Sequence, residues 1–315
     1  MVSGLLPGLG STKACPFSEA HMLRHLALMF LLALIWSSSF MAIKVGVETI
    51  PPLTLAAVRV ILAAVILYGA TLLRGERLAG GLRFWTFCFL LGVIGNGLPF
   101  TLIGWGEQRI SSGLAAILMS VMPLATVVMA HFFTTGDRMT PAKLAGVVIG
   151  FGGIVVLVGP EALKGLGSDL WRQLAVGGGA LCYAVAVILA RNTPPAPLMA
   201  RSAAVMIMAC LVMVPAALVA EAPWAIEPDR ESVAAAVYLG LFPTAFATII
   251  FFYLVQMRGA SFMAFVNYLI PVFGVLWGVA LLAEPVRAME VVALTIILAG
   301  IAFAHFKRPK ETGAA

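Results

Sequence analysis

Charged residues are scarce in this sequence. Asp, Glu, Lys and Arg make up 11% of the chain, whereas soluble proteins contain about 25%. The hydrophobic share is 62% and the mean hydropathy is +1.04. A water-soluble fold with this composition lacks the polar groups needed to cover its surface. The composition therefore predicts that most of the protein is surrounded by a lipid bilayer.

Cysteine and histidine are also rare, with four of each in the chain. The cysteines lack the CxxC spacing of zinc or redox sites, and three of them fall inside apolar runs. His21 and His25 are four residues apart, but their only acidic or thiol neighbour is Glu19. We therefore expect no disulfide, no metal site and no cofactor.

The positive net charge of +6 does not indicate a nucleic-acid-binding protein. The basic residues occur in short clusters between apolar runs, a pattern typical of orientation in a membrane rather than of a phosphate-binding patch. If the N-terminus is cytoplasmic, most of the Lys and Arg residues fall on the cytoplasmic side. The distribution predicts that both termini are cytoplasmic, which requires an even number of spans.

Apolar runs long enough to cross about 30 Å of hydrocarbon recur ten times along the chain. The predicted spans are 26–45, 53–73, 84–103, 113–133, 141–158, 174–191, 198–220, 233–255, 261–282 and 289–306. They form two five-helix units, 24–158 and 174–306, joined by an external linker at 159–173. We expect a disordered cytoplasmic tail at 1–23 and a basic cytoplasmic tail at 307–315.

The two units resemble each other in sequence. A shift of 147 residues places Trp36 on Tyr183, and a shift of 148 places Pro123 on Pro271. Because each unit has an odd number of spans, the second unit must be inverted in the membrane. Inverted repeats with a binding site near the midplane are a recurrent transporter design. The sequence thus predicts an all-α membrane transporter with ten transmembrane helices in two inverted five-helix repeats.

Several segments resemble the EamA-type branch of the drug/metabolite transporter (DMT) superfamily. They read LIWSSSFMAIK at 34–44, AVRVILAA at 57–64, SGLAA at 112–116 and GDRMTP at 136–141. The resemblance covers about residues 24–306, and within the family the pattern is similar to bacterial amino-acid exporters of the YddG type. It departs at Ser37, where the family often has glycine, and at Asp137, where it often has glutamate. The resemblance implies a central cavity lined by helices 1, 3, 4, 6, 8 and 9, with helices 5 and 10 at the periphery.

Polar and aromatic side chains inside the spans are the candidates for substrate binding, because charges and amides are costly in hydrocarbon. Arg59 lies about six residues into its span, which is roughly 9 Å from the helix end at about 1.5 Å of rise per residue. At this depth it can hold a carboxylate or brace neighbouring helices. The other candidates are Trp36, Ser39, Lys44, Asn96, Trp105, Tyr183, Phe246, Asn267 and Tyr268. Snorkelling, helix packing and aromatic anchoring at the interface are the structural alternatives for these side chains.

Prolines and glycines inside the spans predict bends and close contacts. Each intramembrane proline removes a backbone hydrogen bond, so it marks either a gating hinge or a static kink. These prolines are Pro99, Pro123, Pro243 and Pro271. The GxxxG spacings at 146–150 and 274–278 predict helix-packing surfaces.

The leading functional prediction is export of amino acids, aromatic or otherwise apolar, or of similar small metabolites, across a bacterial inner membrane by alternating access. A sugar-phosphate or nucleotide-sugar carrier would need several cations in the cavity. A cationic-drug exporter would need an embedded carboxylate, and no carboxylate is expected deep in a span. The small multidrug exporters, which are distantly similar, use a glutamate in their first helix as the proton carrier, and this chain has none there before Glu48. Facilitated diffusion or exchange is therefore favoured over proton antiport by that route. Glu107 is the only carboxylate expected near the cavity mouth.

Other classes of function fit less well. An integral membrane enzyme should show clustered His, Asp or Glu at the membrane interface, which the sequence does not contain. We therefore expect a transporter and not an enzyme, with a small molecule and the bilayer as its partners. The oligomeric state stays open, and a monomer is compatible with the sequence.

Overall fold

The structure, a computed structural model, describes residues 19–78, 80–134, 139–163, 168–258, 263 and 265–306. Within these residues the regular elements are helices, and no strand occurs. The apolar helices are α1 (Glu19–Gly46), α2 (Pro52–Leu73), α3 (Leu82–Gly92, Val93–Gly97 and Leu98–Glu107), α4 (Ser112–Leu118 and Val121–Phe133), α5 (Pro141–Leu163), α6 (Ser168–Arg191), α7 (Leu198–Ala220), α8 (Arg230–Leu239, Gly240–Phe246 and Ala247–Arg258), α9 (Val266–Leu282) and α10 (Ala288–Phe306).

Seven of these helices, α1 to α4 and α6 to α8, are long and apolar enough to cross a membrane. The described parts of α5, α9 and α10 contribute shorter apolar helices of 10–17 residues. The prediction of an all-helical protein with several membrane-spanning helices is therefore confirmed.

Helices extend into two segments that the sequence analysis assigned to the tail and the linker. Helix α1 already begins at Glu19, so the end of the expected disordered tail is helical. Helix α5 continues to Leu163 and α6 begins at Ser168, so most of the expected linker at 159–173 is also helical. Asp169 lies in the first turn of α6, where a negative charge favours helix formation. Residues 1–18, 164–167 and 307–315, which include the basic tail, lie outside the described residues.

Glutamates join the ends of α2 and α7. Glu221, just after α7, accepts hydrogen bonds from the backbone N–H groups of Leu53 at 3.0 Å and Thr54 at 2.7 Å. Glu76, just after α2, accepts a hydrogen bond from the backbone N–H of Ala200 at 3.1 Å. Each carboxylate thus satisfies N–H groups that a helix N-terminus leaves unpaired. The end of each helix lies at the beginning of the other, so α2 and α7 run antiparallel.

A third glutamate makes the same kind of contact between α9 and α4. Glu284, just after α9, accepts hydrogen bonds from the backbone N–H of Ser112 at 2.9 Å, from the Ser112 hydroxyl at 2.8 Å and from the backbone N–H of Gly113 at 3.2 Å. Helices α4 and α9 are therefore also antiparallel. Asp137, which the sequence repeat pairs with Glu284, lies outside the described residues.

Glycines bring the backbones of α5 and α10 together. A Cβ atom on Gly146 would lie 2.5 Å from the backbone nitrogen of Ala304, and one on Gly153 would lie 3.0 Å from that of Ile297. A Cβ atom on Gly300 would lie 2.7 Å from the carbonyl oxygen of Gly146. Residue numbers rise along α5 as they fall along α10, so these helices are antiparallel. The packing role predicted for the glycines at 146–150 is confirmed.

Helices α3 and α8 each contain a π-helical turn, at Val93–Gly97 and Gly240–Phe246. The two turns begin 147 residues apart, the same shift that relates Trp36 to Tyr183. π-helical turns inside α-helices are rare and often occur at functional sites. Under that shift the two irregular turns occupy matching positions in the sequence.

Helix α4 is interrupted before one of the predicted prolines. Pro123 has no N–H to donate to the carbonyl of Met119, and that carbonyl instead accepts a hydrogen bond from the N–H of Met122 at 3.0 Å. The helix consequently divides into Ser112–Leu118 and Val121–Phe133. The proline therefore causes the break, while its use as a gate stays a prediction.

Candidate functional site

A cavity of about 240 Å³ lies between helices from the first and second halves of the chain. Helices α1 to α4 and α6 to α9 contribute its lining, and α5 and α10 contribute none of the described lining residues. The family resemblance implied a lining from six helices. The structure adds α2, through Arg59, and α7, through Met206.

The cavity brings together many of the residues singled out in the sequence. These are Trp36, Ser39, Arg59, Asn96, Tyr183 and Asn267, with Pro123, Pro243 and Pro271. Polar residues are easily recognised within apolar runs of sequence. Only the structure shows that these residues lie around one cavity. The central cavity is therefore the candidate substrate site.

Arg59 is held between α3 and α8. Its Nε donates a hydrogen bond to the hydroxyl of Thr244 at 2.6 Å, and its Cζ lies 3.7 Å from the ring centroid of Phe100. The side chain is 7% exposed. The hydrogen bond and the aromatic face fix the plane of the guanidinium in the cavity wall.

The hydroxyl of Thr244 is available to Arg59 because of the neighbouring proline. Pro243 has no N–H for the carbonyl of Leu239, and this carbonyl accepts the Thr244 hydroxyl proton at 2.8 Å. The Thr244 oxygen then accepts the hydrogen bond from Arg59. The π-helical turn of α8 thus positions the cation of α2.

Helix α1 contacts the same turn through its tryptophan. The indole Nε1 of Trp36 donates a hydrogen bond to the carbonyl of Pro243 at 3.2 Å. The Ser39 hydroxyl donates to the carbonyl of Trp36 at 2.6 Å and faces the cavity. Ser38 instead pairs with the hydroxyl of Tyr238 at 2.7 Å. The serine run of α1 therefore serves both the cavity and helix packing.

Three polar side chains retain hydrogen-bonding capacity in the cavity wall. Asn96 uses one amide hydrogen on the carbonyl of Leu91 at 3.2 Å. Among the described residues, the Asn267 side chain has no hydrogen-bond partner, and neither does the buried Ser120 hydroxyl. Buried polar groups are normally satisfied, so a ligand or water would complete their bonding.

Sequence reasoning missed several lining residues, and the repeat shift could have identified one of them. The shift of 148 that places Pro123 on Pro271 places Ser120 on Tyr268, which is one of the predicted candidates. Thr244, Phe100 and Met206 gave no such signal, because threonine hydroxyls, aromatics and methionines are common in membrane helices for packing alone.

Three predicted substrate-binding residues do not line the cavity. Phe246 is 44% exposed on the outer side of the π-helical turn. The Tyr268 hydroxyl donates to the carbonyl of Ile301 at 2.9 Å, which ties α9 to α10. Trp105 is 39% exposed and lies under the guanidinium of Arg172, whose Cζ is 3.8 Å from a Trp105 ring centroid. Packing and interface contacts account for these three positions.

Lys44 and Pro99 also lie outside the lining. The Lys44 ammonium donates to the carbonyl of Glu107, the last residue of α3, at 2.7 Å and to that of Ile110, just after it, at 2.9 Å. It therefore satisfies carbonyls that the helix C-terminus leaves unpaired. Pro99 is buried after the π-helical turn of α3, close to Gly179.

Glu107 is the largest departure from the sequence prediction. The sequence placed this carboxylate near the cavity mouth, but its side chain is 0% exposed. Among the described residues, neither carboxyl oxygen has a hydrogen-bond partner. A fully buried carboxyl group therefore lies at the end of α3, where the sequence predicted an accessible one.

A second cavity, of about 220 Å³, lies near the beginning of α1 and the end of α2. Arg24, Arg74 and Glu76 line it, with Tyr253 from α8. Glu76 is already bonded to the N-terminus of α7. None of the predicted substrate-binding residues reaches this cavity.

Comparison with known proteins agrees with these observations. The sequence profile described as the EamA-like transporter family matches twice, at residues 23–159 and 170–306. The chain is 30% identical over 275 residues to the uncharacterized inner membrane transporter YedA of Escherichia coli K12, covering 86% of this chain and 87% of YedA. It is 28% identical over 271 residues to a probable terminal-alkyne amino-acid exporter of Streptantibioticus cattleyicolor, covering 84% and 88%.

A solved crystal structure of a protein has the same fold. It superposes on this chain with a TM-score of 0.66 at 20% sequence identity, and the match covers 90% of this chain and 96% of the other. The helical arrangement is thus that of a known fold over nearly its whole length.

Proposed function

This chain belongs to the EamA-like transporter family, and on that premise we propose that it exports amino acids or similar small carboxylate-bearing metabolites across a bacterial inner membrane. The observation that carries the proposal is the charge of the central cavity. Among the described lining residues, Arg59 is the single charged side chain. A lone fixed cation in an otherwise neutral cavity suits one carboxylate.

The geometry around Arg59 suits two-point recognition of that carboxylate. Nε is used by Thr244, and within the described residues the terminal guanidinium nitrogens have no hydrogen-bond acceptor. Two parallel N–H···O bonds from a guanidinium to a carboxylate are strong and directional. Because Thr244 and Phe100 fix the guanidinium beforehand, little entropy is lost when the substrate binds.

The remaining wall suits the rest of an amino acid. The Asn96, Ser120 and Asn267 side chains offer oxygens that can accept from an ammonium group. The aromatic rings of Trp36 and Tyr183, with several methionines, offer an apolar surface for a side chain. The volume of about 240 Å³ lies below the roughly 300–1,000 Å³ of pockets for drug-sized ligands.

We propose that the substrate passes by alternating access between two inverted five-helix repeats that together make ten transmembrane helices. The two matches of the family profile support the repeat. The antiparallel packing of α2 with α7, α4 with α9 and α5 with α10 supports the inversion, since each pair joins equivalent helices. With ten spans and the excess of basic residues on one side, both termini lie in the cytoplasm.

Two other cargo classes of the same fold fit the cavity less well. Sugar phosphates and nucleotide sugars carry two or more negative charges, and the described lining offers one cation. Cationic drugs need a carboxylate, and the described lining contains none. The name of the Streptantibioticus cattleyicolor relative, a probable terminal-alkyne amino-acid exporter, agrees with an amino-acid substrate.

The proposal is tested by counterflow in proteoliposomes with labelled amino acids, a sugar phosphate and a cationic dye. We expect exchange of at least one amino acid and of neither other class. Arg59→Ala and Asn267→Ala should lower the exchange while the protein still inserts. Arg83→Ala, which removes an exposed arginine away from the cavity, is the matched control. Exchange of the sugar phosphate or the dye alone, or wild-type exchange in Arg59→Ala, would reject the proposal.

A further inference from the structure

Glu107 is an unusual carboxyl group for a protein in a membrane. Its side chain is 0% exposed, and among the described residues neither carboxyl oxygen accepts or donates a hydrogen bond. An ionised carboxylate without hydrogen-bond donors is very costly in a low-dielectric interior. The neutral carboxylic acid costs far less, so the geometry favours a bound proton on Glu107 in this conformation.

Charged groups surround Glu107 from the elements packed around the end of α3. Lys44 of α1 lies at its backbone carbonyl, 2.7 Å away, and Arg59 of α2 interacts with it electrostatically. Glu284, which follows α9, is the other carboxylate whose charge acts on Glu107. On α6, Arg172 binds the Trp105 carbonyl and the Gln108 side chain at the surface.

The two carboxyl groups are held very differently. Glu284 accepts hydrogen bonds from the backbone N–H groups of Ser112 and Gly113 and from the Ser112 hydroxyl. Glu107 has no such donors. The negative charge of Glu284 therefore disfavours the ionised form of Glu107.

A partner for the ionised form of Glu107 is already nearby. The Lys44 ammonium has three hydrogens, and its described acceptors are the two carbonyls of Glu107 and Ile110. A change of side-chain rotamer would bring the ammonium from the Glu107 carbonyl to its carboxylate. Such a pairing would stabilise an ionised Glu107, whereas the structure shows the sealed carboxyl group without it.

We propose that Glu107 is a proton-binding site that couples proton movement to substrate transport, a step that rests on the proposed function. Glu107 lies seven residues after Phe100, about 10 Å along α3 from the cavity wall. When the helices that seal it separate, the carboxyl group releases its proton to water and pairs with Lys44. Arg59 lines the cavity, and its positive charge also acts on Glu107. A substrate carboxylate that binds Arg59 offsets this charge and so changes how strongly Glu107 holds its proton. One proton crosses in one direction as one substrate crosses in the other.

Proton binding can be measured without a substrate. Infrared spectra of the reconstituted protein, recorded near neutral pH where exposed carboxyl groups are ionised, should contain the carbonyl band of a protonated carboxyl group. That band should be lost in Glu107→Gln and retained in Glu227→Gln, a matched change of an exposed glutamate. Glu107→Asp keeps the carboxyl group and should keep the band. A band that persists in Glu107→Gln would overturn the proton site.

Coupling is measured in the same proteoliposomes with the membrane potential held at zero. For one proton exchanged per substrate, a gradient of one pH unit should support about a tenfold substrate concentration ratio. We expect this ratio to fall to about one in Glu107→Gln, to recover in part in Glu107→Asp and to stay at the wild-type value in Glu227→Gln. A wild-type ratio of one, or an unchanged ratio in Glu107→Gln, would overturn the coupling while counterflow still supports the proposed function. Absence of counterflow in the wild type would instead contradict both, even with the infrared band intact.

Discussion

The guanidinium Nε of Arg59 donates a hydrogen bond to the hydroxyl of Thr244 at 2.6 Å, which joins α2 of the first half to the π-helical turn of α8 in the second. The carbonyl of Leu239 receives no hydrogen bond from position 243, because proline has no N–H. It accepts the Thr244 hydroxyl proton instead, which turns the hydroxyl oxygen toward Arg59. A backbone irregularity in one half therefore positions the cavity cation supplied by the other. The candidate site exists only where the two halves meet.

The Arg59–Thr244 bond predicts a positioning role for Thr244. Thr244→Val removes the acceptor for Nε and frees the guanidinium to rotate. Since a hydrogen bond to a charged group contributes about 1.5–3 kcal/mol, we expect the KM for substrate to rise about tenfold or more while the maximal rate changes less. Counterflow kinetics measure both. Thr101→Val, which removes an ordinary hydrogen bond within α3, is the control; equal effects of the two substitutions would argue against the role.

The contact between α5 and α10 predicts a strict limit on side-chain size. A Cβ atom on Gly300 would lie 2.7 Å from the Gly146 carbonyl oxygen, whereas one on Gly152 would meet nothing within 4 Å. Overpacking of this kind costs typically about 1–3 kcal/mol. Gly300→Ala should therefore lower the thermal stability of the purified protein. Gly152→Ala should keep or raise it, by up to about 1 kcal/mol from helix propensity, and the reverse order would contradict the packing.

The glutamate after α7 predicts a stability effect at a distant helix. Glu221→Ala leaves the N–H groups of Leu53 and Thr54 without their acceptor. Loss of a helix N-cap costs about 0.5–2 kcal/mol, so thermal unfolding should begin at a lower temperature. Glu227→Ala removes an exposed carboxylate nearby and should have little effect. If both variants unfold alike, the contact between α7 and α2 does not contribute to stability.

The antiparallel packing of α2 and α7 predicts the sides of two loops. Single cysteines at Arg77, after α2, and at Glu227, after α7, should lie on opposite faces of the membrane in a protein whose four native cysteines are replaced. In intact cells a membrane-impermeant thiol reagent should label position 227 and leave position 77 unlabelled until lysis. Labelling of both positions in intact cells would contradict the inverted arrangement.

The helices could be predicted from sequence because a membrane span is a local property. Each apolar run is long enough to cross hydrocarbon, and Pro51 and Pro197 mark the residues before two of the helices. The helical ends within the linker could not be predicted, because a polar residue such as Asp169 can lie in a loop or begin a helix. Composition alone does not distinguish a polar loop from a polar helix end.

The candidate site could be predicted only where a residue is exceptional for its surroundings. Arg59, Asn96 and Asn267 stand out in apolar runs, and the structure places all three at one cavity. Lys44 was misleading because its long side chain reaches helix-end carbonyls instead of the cavity. The burial of Glu107 could not be foreseen, since it depends on contacts of α3 with helices distant in sequence.

Recognition of a carboxylate by Arg59 is the central claim, and binding of a matched ligand pair tests it most directly. Affinity is measured for the amino acid that the wild type exchanges best and for its carboxamide, each with wild-type protein and with Arg59→Ala. We expect the wild type to prefer the amino acid by about 10-fold or more, as for a hydrogen-bonded charge, and Arg59→Ala to bind the two equally. The same preference in both proteins would show that Arg59 does not bind the carboxylate.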